Sequence, residues 1–152
     1  MSDTTPAPVP DPALRTREGY ATWVTERIRY NDLDPNNHVN NIAINQFFED
    51  GRVDFRIAKM PGGAVDILAG FVVVKFTVEY VSELSYPGEV DVGTVVLRVG
   101  GSSYTMGQGV FQGDKCIAVA ETVTVYVDGE TGKASRIEGD LRTALEENLP
   151  AS

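Results

Sequence analysis

The chain has 152 residues, 42% of them hydrophobic and 23% charged, with a formal net charge of −9 at pH 7. That size suits one domain with a sizeable core, and that charge argues against broad binding to nucleic acid or anionic membranes. The lone Cys116 excludes an intramolecular disulfide and supplies no metal-ligand cluster, which fits a reducing cytosol.

Residues 1–19 are rich in Pro, Thr and Asp, lack periodicity and have no apolar signal-peptide core, so they predict a flexible tail before a single domain over 20–150. Thr22 to Tyr30 alternates, with Thr22, Val24, Glu26, Ile28 and Tyr30 on one side, and predicts a half-buried strand. After a polar loop, Asn41 to Lys59 carries Ile44, Phe48, Gly51, Phe55 and Ala58 at helical spacing with Phe47 beside them. Asn40 or Asn41 is the expected N-cap, and Pro61-Gly62-Gly63 ends the helix. Gly51 inside it costs about 1 kcal/mol against Ala, which close approach to a sheet would offset.

Four strands follow: Phe71 to Glu83, with Val72, Val74, Phe76, Val78 and Tyr80 on one face; Glu89 to Val99; Ser103 to Gln112; and Lys115 to Val127. Short turns at Pro87-Gly88, Gly100-Gly101 and Gly113-Asp114 make the sheet mainly antiparallel. Gly107 and Gly109 inside a strand signal a bulge or a close backbone contact. Cys116 alternates with Ala118 and Ala120 as a small packed residue. Glu138 to Leu149 predicts a short terminal helix. One helix cannot cover both faces of five strands, so a curved sheet wrapped around the helix, with a second copy covering the remainder, is the expected α+β architecture. The longest apolar run, Phe71 to Val74, is too short to span a bilayer, and a soluble cytoplasmic protein is expected.

The chemistry concentrates between the first strand and the helix, in Asn31-Asp32-Leu33-Asp34-Pro35-Asn36-Asn37-His38-Val39-Asn40-Asn41, which holds the only histidine of the chain. A carboxylate, an imidazole and free amides at a helix start can together activate water and hold an oxyanion. Each residue also has a plainer reading: Asp34 as an Asx-turn former before Pro35, Asp32 as a loop-fixing acceptor, His38 as a hydrogen-bonded structural residue, Asn36 as turn chemistry. For Asn40 and Asn41 the plainer reading is side-chain capping, for Glu83 a solvated charge at a strand end.

The pattern Asp34-x-Asn36-x-His38-Val39-Asn40-Asn41 resembles the hot-dog-fold acyl-CoA thioesterases of the 4-hydroxybenzoyl-CoA thioesterase superfamily, and its motif is similar to that of acyl-ACP thioesterases. Phe48-Glu49, Tyr80 and Pro87-Gly88-Glu89 match the order of elements over about residues 22–128. The resemblance implies a hot-dog fold, pairing into a homodimer or homotetramer, and a site at the helix N-terminus. It implies Asp34 as general base or nucleophile, Asn36 and His38 as further polar catalytic positions, Glu83 as an assisting carboxylate and the amide of Asn41 as oxyanion donor. Ile44 departs from the Tyr usual at its position. Glu49 is a backup base by the same resemblance. The expected substrate is an acyl-CoA or acyl-carrier-protein thioester, with no cofactor and no metal. A hot-dog hydratase or dehydratase and a non-catalytic acyl-CoA-binding module are the alternatives.

Overall fold

The computed structural model describes residues 6–62 and 70–150. Strands β1 (Thr22–Arg27), β2 (Phe71–Tyr80), β3 (Glu89–Val99), β4 (Ser103–Gln112) and β5 (Lys115–Tyr126) form one sheet in the order β1-β3-β4-β5-β2. All four neighbouring pairs are antiparallel. The β4–β5 hairpin closes through Gly113-Asp114 between the paired Gln112 and Lys115, with Gly113 at φ +61°, the left-handed backbone that a two-residue hairpin requires. Helix α1 (Asn41–Lys59) lies against the inner face of the curved sheet, as expected of the hot-dog fold. A short helix α2 (Gly139–Glu146) closes one end: Leu145 is buried with Ile137 and Phe55, and Val96 N donates to Asn148 O at 3.0 Å. No described helix is long and apolar enough to cross a membrane.

Helix α1 forms where its sequence supplies both a start and a buried stripe. The Asn40 side chain caps it, accepting from Ile42 N at 2.9 Å, and Arg56 and Lys59 sit at the negative end of its dipole. Ala43, Ile44, Phe47, Phe48 and Phe55 are buried against Val90, Val92, Val96 and Ile117 of the sheet or its end cluster. Gly51 brings the helix to contact distance: a Cβ there would meet Gln108 Nε2 and Val92 Cγ1, each at 2.7 Å. Gln108, fully buried, spends the resulting proximity on hydrogen bonds: its Nε2 donates to Phe48 O at 2.9 Å and Thr94 Oγ1 at 3.1 Å, and its Oε1 accepts from Arg52 Nη1 at 3.3 Å.

Several expectations need correction. Ala58 is exposed; the buried stripe stops at Phe55, and Met60 closes the core beyond the helix end. Gly63 lies outside the described residues. Strand β1 ends at Arg27 rather than Tyr30, because buried Asp32 captures Arg29 N at 2.7 Å and turns residues 30–32 into a 3-10 turn, leaving Tyr30 78% exposed. Strand β2 ends at Tyr80, so Glu83 stands in the following loop. A bulge between Val73 and Lys75 flips the side-chain phase, so Val72 and Val74 do not share the inward face of Phe76 and Val78. A second bulge sets Ile117 between the paired positions of Cys116 and Ala118, so Cys116 faces the outer cluster while Ala118 and Ala120 face α1. The segment read as a flexible tail is packed from Asp11 onward: Pro12–Arg15 forms a 3-10 turn with Leu14 buried on the outer face. Residues 1–5 lie outside the described residues.

Gly51→Val drives a branched side chain into Gln108 and Val92 and is expected to lower stability by about 1–3 kcal/mol, read as a lower urea midpoint at unchanged m-value. Gly101→Ala, with nothing within 4 Å of its added Cβ, is expected to leave the midpoint in place.

Candidate active site

The motif loop is a tight, self-bonded turn. Asp34 N donates to His38 O at 2.8 Å and Asn37 N to Asp34 O at 3.0 Å, while Asn37 takes the left-handed conformation at φ 62°, which Asn tolerates better than most residues. The Asp34 carboxylate is fixed by Oδ1, which accepts from Asn36 N at 2.9 Å and His38 N at 3.1 Å. The Asx-turn reading of Asp34 is therefore realised through one oxygen, and no side-chain bond within the described residues engages Oδ2. Asp32 plays the loop-fixing role, 3% exposed and bonded to Arg29 through both oxygens.

The loop delivers the chain to the start of α1 with an unusual balance of donors. Asn40 Oδ1 takes Ile42 N, and Asn40 O takes Ala43 N at 2.9 Å and Ile44 N at 3.2 Å. Of the first four helical amides, that of Asn41 alone has no acceptor among the described residues. The first turn holds no acidic residue and its cap is a neutral amide, so no carboxylate of that turn offsets the positive end of the dipole.

A cavity of about 460 Å³ opens at this point, with Asp34, His38, Asn41, Ile44, Tyr80 and Glu83 in its wall. Four of the five expected site residues, Asp34, His38, Asn41 and Glu83, thus border one space; Asn36 is exposed and outside the lining. His38 Nδ1 stands 3.9 Å from Glu83 Oε1, too far for a hydrogen bond and an ion pair only when the imidazole is protonated. Glu83 is placed by its backbone: Lys115 Nζ donates to Glu83 O at 2.7 Å, and the Gln112 amide grips Ser85 twice, at 3.1 and 2.9 Å. Glu49 is exposed on α1 and lines neither this cavity nor the one on the other flank. Tyr80, whose hydroxyl donates to Asn45 Oδ1 at 2.8 Å, and Ser82 complete the wall. No local pattern marks Gln112 and Lys115 as supports, because only the hairpin register brings them to the 81–85 loop.

The cavity on the other flank of α1, about 640 Å³, is bordered by Glu26, Arg29, Gln46 and Asp50. Burial, followed by the hydrogen bond and charge of Asp50, pushes Glu26 up to about 8. It has no free helix-start amide, so it lacks the donor that the first cavity offers.

The sequence profile of the thioesterase-like superfamily matches residues 28–145, which contain the whole motif loop, α1 and the sheet strands β2 to β5. The chain belongs to the thioesterase-like superfamily. Solved structures agree. The PA5185 protein of Pseudomonas aeruginosa is 27% identical, with 90% of this chain and 97% of that one covered and a TM-score of 0.78. A Thermus thermophilus thioesterase complexed with coenzyme A and Zn is 26% identical, with 86% and 95% covered and a TM-score of 0.77. A predicted thioesterase of Bacillus stearothermophilus is 27% identical, with 84% and 97% covered and a TM-score of 0.74. A comparison with curated proteins gives no match. Family and relatives support thioester hydrolysis as the general chemistry. Among the described residues no cluster of His, Cys, Asp and Glu is arranged to hold a metal ion.

Glu26 gives this thioesterase-like chain a measurable pH signature. Folded Glu26 keeps its proton to about 8 and the free side chain only to 4.5. Between those values the fold binds the extra proton, so stability falls as pH rises. Glu26→Gln keeps a neutral partner for Asp50 and is expected to flatten the decline of Tm between pH 5.5 and 8.5, the variant being the more stable at the alkaline end. Parallel Tm curves for the two proteins would contradict the assignment.

Proposed function

We propose that the chain hydrolyses acyl-CoA thioesters to a free acid and CoA in the cavity at the start of α1. The observation that carries this reading is the unpaired Asn41 amide at an unneutralised helix start, bordering the same space as the Asp34 carboxylate. A thioester carbonyl placed against Asn41 N–H develops its negative charge on oxygen beside the donor and the helix dipole. Asp34, oriented through Oδ1, uses Oδ2 to take a proton from attacking water or to attack the carbonyl carbon itself. The C–S bond then breaks, and the thiolate takes a proton from solvent or from His38. In the attack by Asp34, water subsequently cleaves the acyl–carboxylate anhydride. Glu83 faces His38 across 3.9 Å and orients it; Asn36 acts through its amide, which holds Asp34 in place. Neither route calls for a cofactor or a metal. Coenzyme A is preferred over a carrier protein as the thiol part: the related Thermus thermophilus structure holds it, and a chain of net charge −9 repels acidic carriers.

The same reading includes a dimer. Strand β2 pairs with β5 on one side only, and Val72, Val73 and Val74 on it are 46%, 44% and 58% exposed. A long apolar edge invites another strand, and pairing of β2 with β2 of a second copy continues the sheet across a two-fold axis. Acyl-CoA binding without turnover is a second reading, favoured by the engagement of Asp34 Oδ1 in the turn.

Thiol release from a panel of short, medium, long and aryl acyl-CoAs separates the two. Asp34→Asn is expected to lower kcat by more than about a hundredfold; saturable binding with no thiol release by the wild type would instead establish the binding module. Asn41→Pro tests the amide itself. Proline is well tolerated at the first helical position, and Asn40, at φ −65° and ψ 139°, already has the conformation that precedes it. The variant is expected to fold and to lose about 10²–10³ in kcat, whereas Asn41→Ala, which keeps the N–H, stays within a few-fold of wild type.

A further inference from the structure

The outer face of the sheet carries a groove with no side chains in its floor at three points. A Cβ on Gly93 would meet the Tyr20 ring at 2.7 Å, one on Gly107 would meet Leu14 Cδ2 at 2.8 Å, and one on Gly109 would strike the Tyr20 hydroxyl. Leu14 and Tyr20 fill the space these glycines leave, over Val95, Val119 and Leu97. Between them Arg17 lies 4.4 Å from the Trp23 ring centroid and 5.5 Å from that of Phe111, donating to Asp91 Oδ2 at 2.9 Å and Gly113 O at 2.8 Å. At the front, Asp11 N donates to Oε2 of Glu121 at 2.8 Å, a carboxylate only 5% exposed whose Oε1 accepts from Arg98 at 3.1 Å. Arg15 pairs with Glu79 on β2. The segment from Asp11 to Tyr20 is therefore fastened to β2, β3, β4 and β5 before the chain enters β1.

We infer that this strap is a built-in cap that withholds the outer sheet face from a second copy of the chain, holding assembly at the edge-paired dimer. The number of copies in the base state rests on the β2 pairing proposed above; the capping does not. A sheet apolar on both faces needs a cover on each. Helix α1 covers one, and the strap covers the other with two apolar anchors and one stacked guanidinium. Stripped of the strap, the face would show Val95, Leu97, Val119, Trp23 and Phe111, smoothed by the three glycines. Around them stand Arg98 and Asp91 on β3 and Glu121 on β5, both signs on one surface. The partner that matches such a face in shape and charge is the same face turned through a two-fold axis, sheet against sheet, with the Arg98 of each copy, shared with its own Glu121, toward Asp91 of the other, the acid that Arg17 then no longer holds.

The test uses the full chain with Leu14→Ala and Tyr20→Ala together, followed by light scattering over a range of loading concentrations and by far-UV circular dichroism. The wild type is expected at the mass of two chains throughout. The double variant is expected to keep its strand signal and to rise with concentration toward four chains, and an excess of a synthetic peptide spanning residues 10–20 is expected to return it to two. A folded double variant that holds the wild-type mass at every concentration overturns the proposal, as does a larger assembly that the peptide leaves intact. If the double variant loses its strand signal, Arg17→Ala, which spares both apolar anchors, is judged by the same criteria. A wild type that runs as one chain refutes the edge pairing alone; the strap is then read from whether the variant doubles that mass.

Discussion

The depth at which α1 sits in the sheet is set by one contact, the absence of a side chain at Gly51 over Gln108. A helix with any other residue there would stand off the sheet, and the buried amide of Gln108 would lose Phe48 O and Arg52, partners that a dry interior does not replace with water. With the helix seated, its first turn is carried to the 81–84 segment and the motif loop must fold back to reach it. The cavity is the space enclosed by that geometry. The opening thus depends on packing ten residues along the chain: the amide of Asn41 faces a cavity because Gly51, nearly three turns later, lets the helix come close.

The two flanks of α1 use carboxylates in opposite senses. On one side Asp34 is half-buried and steered by two backbone amides, beside a helix start whose dipole no first-turn carboxylate offsets. On the other, Glu26 and Asp50 share a site that burial makes hostile to charge, so protonation of Glu26 accompanies folding. Carboxylates thus border an open cavity in one place and serve strand-to-helix packing in the other, the difference being supplied by amides and burial rather than by the side chains themselves.

What could be read from the residues in order was whatever depends on near neighbours. The cap at Asn40, the stripe from Ile44 to Phe55 and the Gly113-Asp114 turn are local signals, and α1 and the β4–β5 hairpin fall where those signals place them. The clustering of Asp34, His38 and Asn41 is local too, since a tight turn leading into a helix holds them within one loop. The bulges at Val74 and Ile117 were hidden, because alternation is counted by residue and an inserted residue changes the phase without changing composition. The strap was hidden for another reason. Leu14, Arg17 and Tyr20 have no periodic relation to one another, and the glycines and acids that receive them are distant in sequence. Gly107 and Gly109 did register as points of close contact, but nothing adjacent named what approaches them. Glu83 stands between these cases: the residue could be singled out, but its placement depends on Gln112 and Lys115 across a hairpin.

The strap also reverses the order of synthesis. Asp11 leaves the ribosome before Glu121, which receives its amide and lies 110 positions later. Until β5 has emerged, Leu14 and Tyr20 have no complete groove, and the strands already made present an outer face with nothing over it. Contacts of such sequence separation form late and slow the approach to the native state. The nascent chain therefore passes through an interval, its length set by translation, in which it is open to association with its siblings, and docking of the strap ends that interval.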